Sequence, residues 1–411
     1  MLSLLLAVQL AGCVPARWPW TDAASLGLLD GSPINCLVLE AEPGPEFAGA
    51  ASGRGLRLVR AGFTPRASLT PAPFMATDQG LWPGVRAEKQ GQVEARPTSA
   101  AWVDTNTGYL RYLRAAAPPG AEVWIGVKPP EREVLSGRRY AQAIADAAMS
   151  GARWVVSLDT ALAALLRQGE PRALDAWARI NGTLRFYETH REMVDAPDFS
   201  RLALLEDPSS GALMSGGIVD MIAAKHIPLR VVPVPELKPE RLRGVRTLLN
   251  IDPAGLTDAQ REDLMAVARQ GVALINGPPG WRLSMPEGGA FVFADDQVKR
   301  LDEVWRGVNS FIWGKNFAVR VFGAHSVLSN LKQLPDGRLA LHLVNYSDYP
   351  VEAITIHAAS KVARATLLTP RGPQPAEVYP LEEGCGIDVA KLDDVAILVL
   401  EMVREPAHEK R

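Results

Sequence analysis

Residues 121–159 constrain this 411-residue chain more than any other stretch. Val123, Trp124, Ile125 and Val127 form a short, nearly continuous apolar run, as expected of a strand buried on both faces. Ser136 offers a hydroxyl to cap a helix in which Tyr140, Ile144 and Ala148 recur at spacings of four, and Gly151 ends it. Trp154, Val155, Val156 and Leu158 then predict a second buried strand, ending at Asp159. Two strands joined through a helix form a parallel pair, because a parallel connection has to cross over. Repeated, such units bring the carboxyl ends of their strands to one rim, where α/β enzymes carry their sites. Lys128, Glu131 and Asp159, the polar residues just past these strands, are therefore the first places to look for chemistry.

The flanking sequence extends the pattern. After a lead containing Trp18 and Trp20, residues 34–39 (INCLVL) predict a buried strand ending at Glu40, and 56–59 (LRLV) a second one. Residues 62–106 are irregular and rich in Pro, Gly and Trp; they set Trp82 and Trp102 beside Asp78, Asp104 and Asn106. A loop of this length inside a compact domain is commonly functional, and its aromatic content speaks against a solvated linker. A helix bearing Tyr109, Tyr112 and Leu113 leads into 121–159, and two helices follow Asp159. Residues 30–195 thus predict a small or incomplete (β/α) barrel-like domain, or an open sheet, as the candidate catalytic domain.

Residues 199–300 alternate strand and helix more regularly. RLALLED, LRVVPV, VRTLLNID and VALING predict four strands; helices start near Ser215 and at Thr257, where Thr257 and Gln260 match a capping box and Gly271 a C-cap. This is the pattern of a flavodoxin-like, doubly wound sheet. It carries neither GxGxxG order nor a P-loop, and the strand ending at Asn276 runs into Gly277-Pro278-Pro279-Gly280 without a Cys or Ser elbow, so no chemistry is assigned to it. From Phe317 to Val403 the period changes to that of short strands, with Pro335-Asp336-Gly337 marking a hairpin, which predicts a C-terminal β-sandwich over 317–403. His342 and His357 fall in alternating strands and are expected as packed or exposed strand residues.

Other features narrow the class. A single core stops growing beyond about 250–300 residues, so two or three domains are expected. A net charge of −2 offers no basic surface for nucleic acid. The six histidines show no metal-binding spacing and no CxxC occurs, so neither a metal nor another cofactor is expected. Leu2 to Ala11 is apolar but too short to span a bilayer, and Leu10-Ala11-Gly12-Cys13 resembles the lipobox of bacterial lipoproteins. That resemblance implies that residues 1–13 are a lipoprotein signal peptide and lipobox, with Cys13 a lipidated terminus that holds an exported protein at the cell envelope. The competing reading is an apolar start followed by a buried cysteine.

The order of barrel-like domain, flavodoxin-like domain and terminal sandwich, with the stretch LALHLVNYSDYPVEAITIH followed by ARATLLTP, resembles bacterial β-galactosidases that carry a middle trimerisation domain, and their relatives among secreted glycoside hydrolases. The resemblance implies a carbohydrate substrate, an amidotransferase-like but inactive middle domain, and scope for a homo-oligomer. Those enzymes place their acid/base in an Asn-Glu pair; no such dipeptide occurs here, so no catalytic residue transfers by motif. Glycoside hydrolysis needs two carboxyl groups about 5–5.5 Å apart for retention, or about 6.5–9.5 Å for inversion. One of them must be kept protonated, which a partly apolar wall achieves. Asp159, Asp104, Glu40 and Glu131 are the candidate acids, with Trp82, Trp102, Asn106 and Asp78 as the candidate sugar-binding set. Asp159 is equally placed to cap the helix that follows it, and Asp104 to cap the helix carrying Tyr109. The expected function is a glycoside hydrolase, the alternative a non-catalytic carbohydrate-binding lipoprotein with a degenerate barrel.

Overall fold

A computed structural model describes residues 12–59, 74–77, 80–85, 103–118, 120–130, 134–206, 226–250, 256–276, 317–403 and the isolated positions 306, 308 and 310. The chain forms two compact units; the first holds the amino-terminal α/β domain together with residues 346–348, the second the remaining two domains.

In the first unit the strands are β1 (Pro15–Arg17), β2 (Cys36–Val38), β3 (Arg57–Val59), β4 (Phe74–Thr77), the short ribbon β5 (Gly84–Val85) and β6 (Val103–Asp104), then β7 (Glu122–Ile125), β8 (Arg153–Trp154) and β9 (Val156–Ser157). β8 and β9 are one extended stretch: Arg153 and Trp154 pair with β7, while Val156 and Ser157 pair with β1. The Val155 amide between them donates to the Ile125 carbonyl at 2.8 Å. The parallel strands therefore run β3-β2-β1-β9/β8-β7-β4. That is chain order around a circle, with the last strand beside the first, and it makes the domain barrel-like rather than an open sheet.

The expected first strand is thus the second. β1 lies in the stretch read from sequence as a lead, and it is flanked by partners on both sides. Cys13, just before it, is wholly buried among Val38, Val59, Trp124 and Val155 and is disulfide-bonded to Cys36. Asn35 clamps this entry: its Oδ1 accepts from the Val14 amide at 2.7 Å and its Nδ2 donates to the Gly12 carbonyl at 3.0 Å. The sulfur expected to carry a lipid is occupied here by a second cysteine.

The expected caps at Ser136 and Thr257 are present, whereas the helix carrying Tyr109 (Thr107–Ala116) has Asn106, not Asp104, at its N-cap. Ser136 Oγ accepts from the Arg139 amide at the start of helix Gly137–Met149. Helix Pro171–Thr189 packs across that start, where a Cβ on Gly137 would lie 2.8 Å from the Ala176 Cα, so only glycine fits.

In the second unit β10 (Leu202–Glu206), β11 (Arg230–Pro233), β12 (Thr247–Asn250) and β13 (Ala273–Asn276) form an all-parallel sheet in the order β11-β10-β12-β13, the flavodoxin-like arrangement. Helix Asp258–Arg269 carries the capping box of Thr257 and Gln260. The helix expected near Ser215 lies outside the described residues.

The carboxy-terminal domain is built from β14 (Val319–Phe322), β15 (Val327–Gln333), β16 (Leu339–Asn345), β17 (Val351–Ala358), β18 (Val362–Thr369), β19 (Gly372–Pro380), β20 (Cys385–Leu392) and β21 (Val395–Met402). All neighbours are antiparallel. β19 pairs with β18 over 372–376 and with β20 over 377–380, so one strand passes between the two layers of a sandwich. Alternate residues such as Leu339, Leu341 and Leu343 on β16 and Leu398 and Leu400 on β21 share its core with Ile354 and Ile356 of β17. Gly337 turns the expected hairpin with φ of 90°. His342 is buried in β16, and His357 stands in β17 with its ring against Phe317.

Candidate functional site

A cleft of about 780 Å³ opens at the carboxyl ends of the barrel strands, within the size range of small-molecule sites. Arg17 ends β1, Glu40 follows β2, Lys128 follows β7, and Ser157 and Asp159 end and follow β9; all of them line it. The rim inferred from 121–159 is therefore a cleft.

Arg17 lies across its base, where Nη1 donates to the Gly126 carbonyl at 2.5 Å and lies 3.5 Å from Ser157 Oγ. Glu40 Oε1 is 2.6 Å from Lys128 Nζ, with each side chain 66% exposed. β1 and β9/β8 separate β2 from β7 in the sheet, so this pair bridges the cleft above their ends. The hydrogen bond and charge of Lys128, helped by the charge of Arg17 and only partly opposed by burial, hold the Glu40 carboxyl below the usual carboxylate range. Glu40 is thus an accessible anion.

Asp159 is a different kind of residue. It is the N-cap of helix Thr160–Arg167: Oδ1 accepts from the Leu162 amide at 2.9 Å. Its Oδ2 accepts from the Tyr140 hydroxyl at 2.9 Å and the Leu135 amide at 3.3 Å, and the residue is 4% exposed. Three donors tie this buried carboxylate into the cleft wall, with the N-cap bond expected of the capping alternative. Tyr140 in turn has its hydroxyl pushed well above the usual tyrosine range, by burial first and also by the Asp159 charge.

The aromatic face of the cleft comes from the lead segment. Trp20 is half-exposed, lines the cleft, and meets Trp18 edge to face at 4.8 Å. The Arg167 guanidinium stands 5.8 Å from its ring and pairs with Asp22 at 2.5 Å. No motif announced Trp20; the usable signal was an apolar Val14-Pro15-Ala16 followed by alternating tryptophans, a strand end with aromatics on one side.

Trp82 and Asn106 do not line this cleft. Asn106 is 3% exposed and Trp82 is half-buried, its indole N–H donating to the Lys128 carbonyl at 2.9 Å. Asp104 contributes backbone to β6, but its side chain lies outside the described atoms, and Asp78, Trp102 and Glu131 lie outside the described residues. Of the four candidate acids, Glu40 and Asp159 are brought to the same cleft.

A fully buried carboxylate that no motif suggested, Asp146 of helix Gly137–Met149, supports the region from behind. Oδ2 accepts from the Asn106 amide and Nδ2, both at 3.0 Å; Oδ1 accepts from the Tyr346 hydroxyl at 2.6 Å and from the Thr105 hydroxyl. Burial raises its carboxyl above the usual range despite these donors.

No protein-family model matches the sequence, and no characterised protein matches it by sequence comparison. Solved structures do resemble it. α-L-Fucosidase isoenzyme 2 from Paenibacillus thiaminolyticus aligns over 73% of this chain and 64% of its own, with a TM-score of 0.52 and 13% identity. A β-galactosidase from Rahnella sp. R3 aligns over 72% of this chain and 58% of its own, with a TM-score of 0.46 and 11% identity. These neighbours are glycoside hydrolases. At such identity the likeness to the fucosidase is one of fold, and the chain spans less than two thirds of the length of either neighbour.

Proposed function

We propose that the chain takes a carbohydrate in the barrel-rim cleft and hydrolyses a glycosidic bond there, with Glu40 as the reacting carboxylate. The observation that carries this reading is an accessible carboxylate, held ionised by Lys128, in the same cleft as the half-exposed Trp20. A broad apolar ring suits the face of a sugar. A carboxylate kept ionised suits the nucleophile or base and not the proton donor, so a second carboxyl has to supply the proton. Glu131, which follows the wall residues Lys128, Pro129 and Pro130, and Asp104 are the acids assigned to that role. The neighbours' fold supports the substrate class. The disulfide between Cys13 and Cys36 supports folding in an oxidising compartment, in keeping with export. Envelope anchoring through a lipid on Cys13 would need that bond to be absent.

The engagement of both Asp159 oxygens by three donors favours a second reading, a binding protein whose cleft retains the sugar face without the acid pair. Hydrolysis of a panel of p-nitrophenyl glycosides that includes the α-L-fucoside and β-D-galactoside separates the two. Glu40→Gln should lower kcat/KM by about 10²–10⁴-fold while the protein stays folded. Hydrolysis unchanged in Glu40→Gln would remove Glu40 from the reaction; saccharide binding without hydrolysis in the wild type would establish the second reading. Lys128→Met removes the main cause of the lowered Glu40 carboxyl, so the acidic limb of the pH–rate profile should move to higher pH. A limb that stays in place would show that another group governs it.

A further inference from the structure

Residues 126–130, which include the cleft-wall residues Lys128, Pro129 and Pro130, belong to no strand or helix, so other groups must fix their place. Side chains hold two of their carbonyls: Arg17 donates to Gly126 and the Trp82 indole to Lys128. Trp82 is itself locked, its ring edge to face with Tyr140 at 5.2 Å and with Trp154 at 5.1 Å. The residue before it is gripped by Asn106, whose Oδ1 accepts from the Leu81 amide and whose Nδ2 donates to the Leu81 carbonyl, both at 2.9 Å. Asn106 occupies the N-cap position of helix Thr107–Ala116, yet its side chain makes no capping bond; it reaches away from that helix to Leu81. Asp146 anchors it from the other side. Gly80 permits this approach, since a Cβ there would lie 2.8 Å from Asn106 Oδ1 and 2.7 Å from Ile125 Cδ1.

We propose that Asn106 and Trp82 are positioning residues: together they clamp the 126–130 wall from behind and so set where Lys128 stands in the cleft. The importance of that position rests on the reading of the cleft as the carbohydrate site, whereas the clamp itself does not. Both residues are candidate sugar contacts by sequence; the burial of Asn106 and the hydrogen bonds of both point to this other role.

Amide hydrogen exchange on the full chain tests the clamp, using Asn106→Ala and Trp82→Phe, the second of which removes the indole donor and keeps an aromatic ring. Exchange at Gly126, Val127 and Lys128 should rise about tenfold or more in both variants, with cooperative unfolding retained. KM for the p-nitrophenyl glycoside cleaved best should rise more than kcat falls. Exchange that rises only at Leu81 and in helix Thr107–Ala116, with the three wall amides unchanged, would overturn the proposal. Loosened wall amides with unaltered KM would overturn the positioning role. An inactive wild type with loosened wall amides would overturn the hydrolase reading while supporting the clamp.

Discussion

Asp146 shows how much depends on one buried carboxylate. Its oxygens satisfy donors from Thr105, Asn106 and Tyr346, and truncation would leave those donors buried and unpaired. Asp146→Ala should therefore cost about 3–5 kcal/mol in denaturant unfolding, whereas a loss below about 1 kcal/mol would mean that the network repacks. Asp146→Asn is milder, because the Thr105 and Tyr346 hydroxyls can turn to accept from the new amide. It also isolates a pH effect. Burial raises the folded carboxyl above its unfolded value, so its contribution is complete below the unfolded value and is lost as pH rises through the folded one. The stability of wild type relative to Asp146→Asn should fall as pH climbs out of the carboxylate range; a difference that stays flat or grows contradicts the assignment. Nothing local marks Asp146 in the sequence, since a carboxylate on a helix reads as solvated until its partners from residues 105–106 and 346 are known. Asp159 was legible for the opposite reason: its capping bond lies three residues away.

At the scale of elements, legibility followed locality. The caps at Ser136 and Thr257 and the turn at Gly337 depend on residues within a few positions, and each was readable. β1 was not: it is three residues long, begins with proline, and is a strand because β2 and β9 pair with it from both sides. β19 was obscured by Pro373, Pro375 and Pro380, residues that normally argue against a strand but sit here in the one that crosses between the layers. The disulfide ties β1 to β2 across a separation of 23 residues. Loop closure of that length contributes about 3 kcal/mol by the chain-entropy model, so Cys36→Ser should lower the unfolding midpoint and dithiothreitol should lower the wild type's to match. The denatured, unreduced protein should have the mass of one bonded cysteine pair. A diacylated Cys13 in protein extracted from cells, or a midpoint indifferent to reductant, would contradict the bond.

Across the whole molecule, domain order was the most legible property and the site the least. Two transitions separate barrel, doubly wound sheet and sandwich: strand–helix alternation becomes more regular from residue 199 and gives way to short strands from Phe317. The cleft assembles Arg17, Trp20, Glu40, Lys128 and Asp159 from four places in the chain, and only the circular strand order brings them together. Saccharide contact at that rim is the central claim. Its most direct measurement is hydroxyl-radical footprinting of the full chain with and without a saturating oligosaccharide. Protection should centre on Trp20, Pro43, Pro130 and Val134 around the cleft. Protection confined to the sandwich, with Trp20 and Val134 labelled equally in both states, would contradict it.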